Sequence, residues 1–87
     1  MNKNIEPIKL SPKFEVEPKV KNGIYKHYKG ALYQVLNVGL DSESHKQVVV
    51  YKSIEHGTIW VRDEEMFLEV VEIESKFYQR FTFIRDL

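Results

Sequence analysis

The chain has 87 residues, 43% apolar and 30% charged, which allows one small hydrophobic core and excludes two domains with a cleft between them. Thirteen basic and thirteen acidic side chains cancel, so no net field draws the chain to nucleic acid or to an anionic membrane. Cysteine is absent, excluding disulfide staples and thiolate metal sites and fitting a cytoplasmic protein, while no apolar run approaches the roughly 20 residues of a membrane span and no apolar signal region opens the chain.

Residues 1–22 read as an extended N-terminal arm. Three prolines recur in it, Pro7, Pro12 and Pro18, and from Ile8 the even positions are Ile8, Leu10, Pro12, Phe14, Val16, Pro18 and Val20, with Lys, Glu and Ser between them. Period two is the extended-chain period, and proline cannot donate to a central ladder. The arm is therefore expected as an edge strand or a strap with Phe14 and Val16 against the domain, or as a tail that orders on a partner. Strand addition through residues 8–20 would then join two chains.

Residues 23–87 read as a small all-β domain. Runs rich in β-branched and aromatic residues predict strands over 24–28, 31–38, 46–53, 58–62, 67–73 and 77–84. Lys29-Gly30 suits a two-residue hairpin turn, Gly39 to Ser44 a polar loop, Glu55-His56-Gly57 a third turn and Ser75-Lys76 a fourth. Asp63 can cap a single 3₁₀ or helical turn over Asp63 to Met66, with Glu64 and Glu65 solvated at its start. Five or six short strands joined tightly predict an SH3-like barrel, since closure hides the edges of so small a sheet. Its core is expected from Leu32, Val35, Leu36, Val48, Val50, Ile59, Val61, Phe67, Val70, Phe81 and Phe83.

No reaction is written in the motifs. His27, His45 and His56 are spaced too irregularly for a metal pair, so neither a metal nor a cofactor is expected. The serines lie outside any strand-to-helix elbow, and the four glycines are scattered one per turn instead of forming a phosphate loop. Charge is nevertheless uneven. Residues 1–30 hold seven Lys against three Glu and the remainder six basic against ten acidic side chains, about +4 and −4. Lysines beside Tyr25, Tyr28 and Tyr33 form the kind of surface that binds single-stranded nucleic acid, although a basic arm lying on its own acidic face has the same arithmetic.

Gly23-Ile24-Tyr25-Lys26-His27-Tyr28-Lys29-Gly30, followed by Tyr33 and Val35, resembles the opening of the DUF1653 family of short bacterial proteins. Ser42-Glu43-Ser44, Val49-Val50-Tyr51, Trp60-Val61-Arg62, Met66-Phe67 and Arg80-Phe81 carry the resemblance onward, over residues 23 to 83. Two positions depart from the family pattern: Asp41 stands where a histidine usually precedes Ser-Glu, and Asp63 where a proline usually follows Trp-Val-Arg. The resemblance implies a compact domain and supplies no reaction.

The function read from these residues is a noncatalytic binding module with an aromatic and basic surface. The competing readings are an enzyme or sensor for a small anionic metabolite or nucleotide, with Arg62 and Lys29 holding the anion and His27 moving a proton, and a binder of single-stranded nucleic acid. Tyr25, His27, Tyr28, Lys29, Ser42, Glu43, Tyr51, Trp60 and Arg62 are the expected ligand-binding residues, for a partner that is anionic or carries a planar ring. Trp60 and Arg62, two apart on a strand, should share a face. The plainer possibility seats Tyr25 and Trp60 in the core and pairs Arg62 with Glu43.

Overall fold

The computed structural model describes residues 13–87. Its β-branched and aromatic runs form β1 (Gly23–His27), β2 (Leu32–Leu40), β3 (Gln47–Ser53), β4 (Ile59–Asp63), β5 (Val70–Ile73), β6 (Lys76–Gln79) and β7 (Phe81–Arg85), with one helical turn, α1 (Glu64–Phe67), between β4 and β5. The fold is mostly β. Among the described residues the expected barrel closure does not occur: β4-β3-β2-β1-β7 make one antiparallel sheet with β4 and β7 at its edges, and β5 and β6 make a separate hairpin. The single strand expected over 77–84 is broken at Arg80. Its N–H donates to the Glu69 carbonyl and its own carbonyl accepts from Tyr28 N–H, so one residue hands the chain from the hairpin to the sheet.

Local turn chemistry explains the connections. The first hairpin is wider than a two-residue turn: Lys26 pairs with Leu32, His27 N–H donates to the Ala31 carbonyl, and Tyr28, Lys29 and Gly30 form the tip, with Gly30 at φ 109°. The fourth turn lies one residue earlier than expected, at Glu74-Ser75. Both residues have positive φ, the conformation that follows the right-handed twist of a hairpin. Asp63 precedes α1 but its side chain makes no capping hydrogen bond. Gly23, at φ 145°, passes so close to β7 that a Cβ would meet the Arg85 carbonyl oxygen at 2.7 Å, so a larger residue there would displace the edge strand.

A β-bulge decides which side chains enter the core. Val35 pairs with Tyr51 and Asn37 with Val50, leaving Leu36 as the extra residue. The inward parity of β2 therefore changes from odd (Tyr33, Val35) to even (Val38), which a strict alternation through Leu36 cannot anticipate. The central core is Val20, Tyr25, Val35, Val38, Val49, Tyr51, Phe67 and Phe81. Of the residues expected there, Val35, Val48, Phe67 and Phe81 are buried, Leu36, Val50 and Phe83 are partly buried, and Leu32, Ile59, Val61 and Val70 are exposed. For Ile59 and Val61 the register reverses the expected face. Pairing of Trp60 with Tyr51 and Arg62 with Val49 turns Trp60 and Arg62 to the core side and Ile59 and Val61 away from it. Val70 is exposed because the β5–β6 hairpin projects from the sheet.

Curvature completes the core. Phe81 on β7 lies 5.4 Å from the ring of Tyr51 on β3, three strands away. A flat sheet would separate those strands by about 14 Å, so the sheet coils until the inward rings of β3 and β7 meet, and Phe67 of α1 stacks on Phe81 at 4.0 Å.

The arm, where described, is a strap and forms no strand. Val20 is buried and Val16 packs against the core, whereas Phe14 is half exposed with its ring 4.3 Å from that of His45. Residues 8–12 of the expected strand-adding segment lie outside the described residues. Side chains stand in for a strand partner. Gln47 Oε1 accepts from Glu17 N–H while Gln47 Nε2 donates to the Glu17 carbonyl, and Glu64 Oε2 accepts from the N–H groups of Lys19 and Val20. Gln47 also donates to Glu64 Oε1 at 2.7 Å. Glu64 is thus no solvated helix start; it is buried and satisfied by three donors.

Removing that carboxylate strands three donors beside a core, where each unsatisfied group costs about 1–3 kcal/mol unless water reaches it. Glu64→Ala is expected to lower stability by at least about 2 kcal/mol and to speed amide hydrogen exchange at Lys19 and Val20. Unaltered exchange there would show that the strap is held by other contacts.

Candidate functional site

The inward parity of β1 to β4 places polar rings and cations beyond the open end of the core. His27 ends β1 with its ring 5.0 Å from Phe81 and 4.4 Å from Tyr28. Tyr33 on β2 sits between the rings of Tyr51 and Phe81, and Tyr28 stacks on Tyr78 of the projecting hairpin at 6.1 Å. On β4, Arg62 Nε donates to the Tyr51 hydroxyl at 3.3 Å, and Trp60 lies on the same strand face, half exposed.

The cations gathered here differ in how their charge is met. Arg80 pairs with Glu69 at 3.2 Å and donates to the Met66 carbonyl. No carboxylate among the described residues lies within ion-pair distance of Arg62 or Lys29; the Glu43 pairing considered for Arg62 does not form. Tyr51 is a neutral acceptor, so the guanidinium keeps its charge and other N–H donors.

His27 reports the same field. Burial, then the charges of Lys29, Arg80 and Arg62, push its pKa below the ordinary 6.5. Its Nδ1 accepts the Lys29 backbone N–H at 3.1 Å, so the neutral ring carries its proton on Nε2, and protonating Nδ1 would break that bond.

Of the nine residues expected at a ligand site, the structure gathers His27, Tyr28, Lys29, Tyr51, Trp60 and Arg62. Tyr25 belongs to the core: it is buried, makes edge contacts to Phe67 and Phe83, and donates its hydroxyl to the Lys21 carbonyl. Burial pushes that hydroxyl's pKa up. Ser42 and Glu43 stand in the loop after Leu40, at the opposite end of β2 from Tyr33, about 24 Å away at 3.4 Å per residue. Their loop is shaped by Asp41, whose Oδ1 accepts the N–H groups of Glu43 and Ser44 at 2.9 and 2.8 Å. Those bonds hold its carboxyl below the usual range. Asp41 is a turn former. Tyr78 and Arg80 reach the site unforeseen, because only the chain break at Arg80 carries the hairpin beside Tyr28.

Two clefts lie elsewhere. One of about 270 Å³ runs between strap, β3 and α1 and includes Glu17, Lys46, Gln47, Asp63, Glu64 and Glu65. Its innermost carboxylate, Glu64, is already committed to three internal donors. The other, about 330 Å³, lies under the strap beside Tyr25, Phe81 and Phe83. The first is lined by Lys19 and Lys46 but by no aromatic ring, and the rings of the second are buried or partly buried, whereas the β4 face sets Arg62 beside the half-exposed Trp60. Among the described residues no three His, Asp or Glu converge as metal ligands, and no helix is long and apolar enough to cross a membrane.

Residues 23–83, from the Gly23 crossing through Phe83 on β7, match the DUF1653 family, described as a protein of unknown function. The chain belongs to this family. The crystal structure of a DUF1653 protein from Bordetella bronchiseptica superposes with a TM-score of 0.71 at 25% identity, covering 79% of this chain and 92% of that one. No curated protein matches the chain. Within the DUF1653 match lie all the residues gathered at the aromatic face, whereas most of the strap precedes it.

A depressed histidine pKa has a defined consequence for stability. Below pH 6.5 the unfolded chain takes up a proton at His27 before the folded one does, so stability is full above 6.5 and falls as pH drops toward the folded pKa. Magnetic resonance titration should place the His27 midpoint below 6.5, and His27→Gln should reduce the acid-side loss of stability. A midpoint above 6.5 would mean that an acid, and not burial with the charges of Lys29, Arg80 and Arg62, governs the site.

Proposed function

We propose that this DUF1653 domain is a noncatalytic binding module whose aromatic and basic face takes an anionic ligand carrying a planar ring. Arg62 carries the reading: a guanidinium held by the Tyr51 hydroxyl, without a carboxylate, on the same strand face as the half-exposed Trp60. Arg62 and Lys29 would hold the anion, and Trp60, Tyr28 and Tyr78 supply ring faces, where stacking contributes about 1–3 kcal/mol per nucleic-acid base. His27, neutral with Nε2–H as a donor, adds a directional contact. A nucleotide or a short single strand has the required chemistry. Catalysis has less support, since no nucleophile adjoins His27 among these residues.

Trp60 is the only tryptophan, so its fluorescence reports directly on the face. The dinucleotide ApA, which has two bases and one phosphodiester of constant charge, should quench it, and more weakly so should adenosine or diethyl phosphate alone. Arg62→Ala should weaken ApA binding by about tenfold or more, since a charge-assisted hydrogen bond contributes about 1.5–3 kcal/mol and 1.4 kcal/mol is tenfold. Affinity should rise as pH falls through the His27 titration, because a bound anion favours imidazolium. Absence of quenching, or equal binding by folded Arg62→Ala, would overturn the reading.

A further inference from the structure

The β4 edge is unfinished in a way that its own sequence can complete. Ser53 N–H donates to the Thr58 carbonyl at 2.9 Å, which makes 53 and 58 a hydrogen-bonded pair. By the antiparallel alternation the next such pairs are Tyr51 with Trp60 and Val49 with Arg62. Trp60 and Arg62 therefore spend their backbone groups on β3, while Ile59 and Val61 turn theirs to the open edge. Ile59, Trp60 and Val61 are also 52%, 52% and 62% exposed in side chain and backbone together. Among the described residues no strand pairs with this edge, and three consecutive exposed apolar residues on such an edge are what soluble proteins ordinarily avoid, because the edge is a template for another strand. The opposite edge is blunted: β7 carries Thr82 and Arg85, and its pairing with β1 shifts register beyond Ile24.

We propose that β4 pairs antiparallel with β4 of a second copy of this chain about a two-fold axis at Val61. Centred there, the outward N–H and C=O of Val61 bond those of its counterpart, giving two hydrogen bonds across the axis. Each Trp60 then faces Arg62 of the other copy in a non-hydrogen-bonded pair, the arrangement that brings side chains closest. Both are core-side residues, so the indole face and the guanidinium meet as a cation–π pair, made twice by symmetry. Register is specified by this complementarity. A shift of the axis to Trp60 sets indole against indole and loses both cation–π pairs. A perpendicular two-fold also leaves the two aromatic faces on the same side of one continuous sheet. The pairing shares Trp60 and Arg62 with the face read above as a binding site, so the dimer is tested without ligand.

The ligand-free protein tests it by sedimentation and by amide hydrogen exchange across a concentration series. A dimer is expected, with the Val61 amide becoming protected as the dimer forms. Val61→Pro removes the outward donor without touching the β3 ladder, and Val61→Lys places a charge on the edge; each should be monomeric with an unchanged circular dichroism spectrum. Should the proline variant fail to fold, the lysine variant decides. A wild type monomeric to about 1 mM, where association is worth no more than about 4 kcal/mol, would overturn the proposal. So would a dimer with a freely exchanging Val61 amide, or a folded Val61→Lys that remains dimeric.

Discussion

Phe81 and Phe67 stack with ring centroids 4.0 Å apart and planes 3° from parallel, and nearly every other feature of the molecule passes through that contact. Phe81 comes from the last strand and Phe67 from the single helical turn. Between them they reach Tyr25 on β1, Tyr33 on β2 and Tyr51 on β3. A sheet with two free edges has no closure to hold its curvature. Here that work falls to rings, whose large area suits a chain too short to bury many aliphatic layers. The strap then seals the remaining side with Val20, held by the Glu64 carboxylate.

The aromatic and basic face is the outer margin of the same arrangement. Tyr51 packs its ring on Phe67 and Phe81 while its hydroxyl accepts from Arg62, so one side chain belongs to both core and surface. His27 has the same double character, with its ring edge against Phe81 and Nδ1 committed to the Lys29 amide. Groups fixed in this way have little side-chain freedom left to lose, the preorganisation on which the proposed binding role draws. The concentration of Lys29, Arg62 and Arg80 around His27 also gives a nearly neutral chain a local positive field.

Much of the β content was legible in the residues themselves: strand runs, Gly-marked turns and the helical turn before β5 follow from propensity and turn chemistry. The face of each strand was not. In β3 every residue from Val48 to Tyr51 is apolar or aromatic, so alternation gives no parity, and the bulge at Leu36 reverses it midway through β2. Trp60 and Arg62 were expected on one face, and the register agrees; which face that is depended on Tyr51 across the ladder. Glu64 looked like an ordinary helix-start acid because its three donors come from residues 17 or more positions away. Ser42 and Glu43 stand in a polar loop that a core does not require, which suggests a site, but Asp41 shapes that loop at the end of β2 opposite Tyr33.

If the sheet is coiled by its rings and not by strand closure, the contact between the inward rings of β3 and β7 must exist in solution. Nuclear Overhauser spectroscopy on the full chain measures it directly. The account predicts cross-peaks between the ring protons of Phe81 and those of both Tyr51 and Phe67, together with the backbone contacts pairing His27 with Phe81. Retention of the β1–β7 backbone contacts without any Phe81–Tyr51 cross-peak would describe an open, flatter sheet and contradict it.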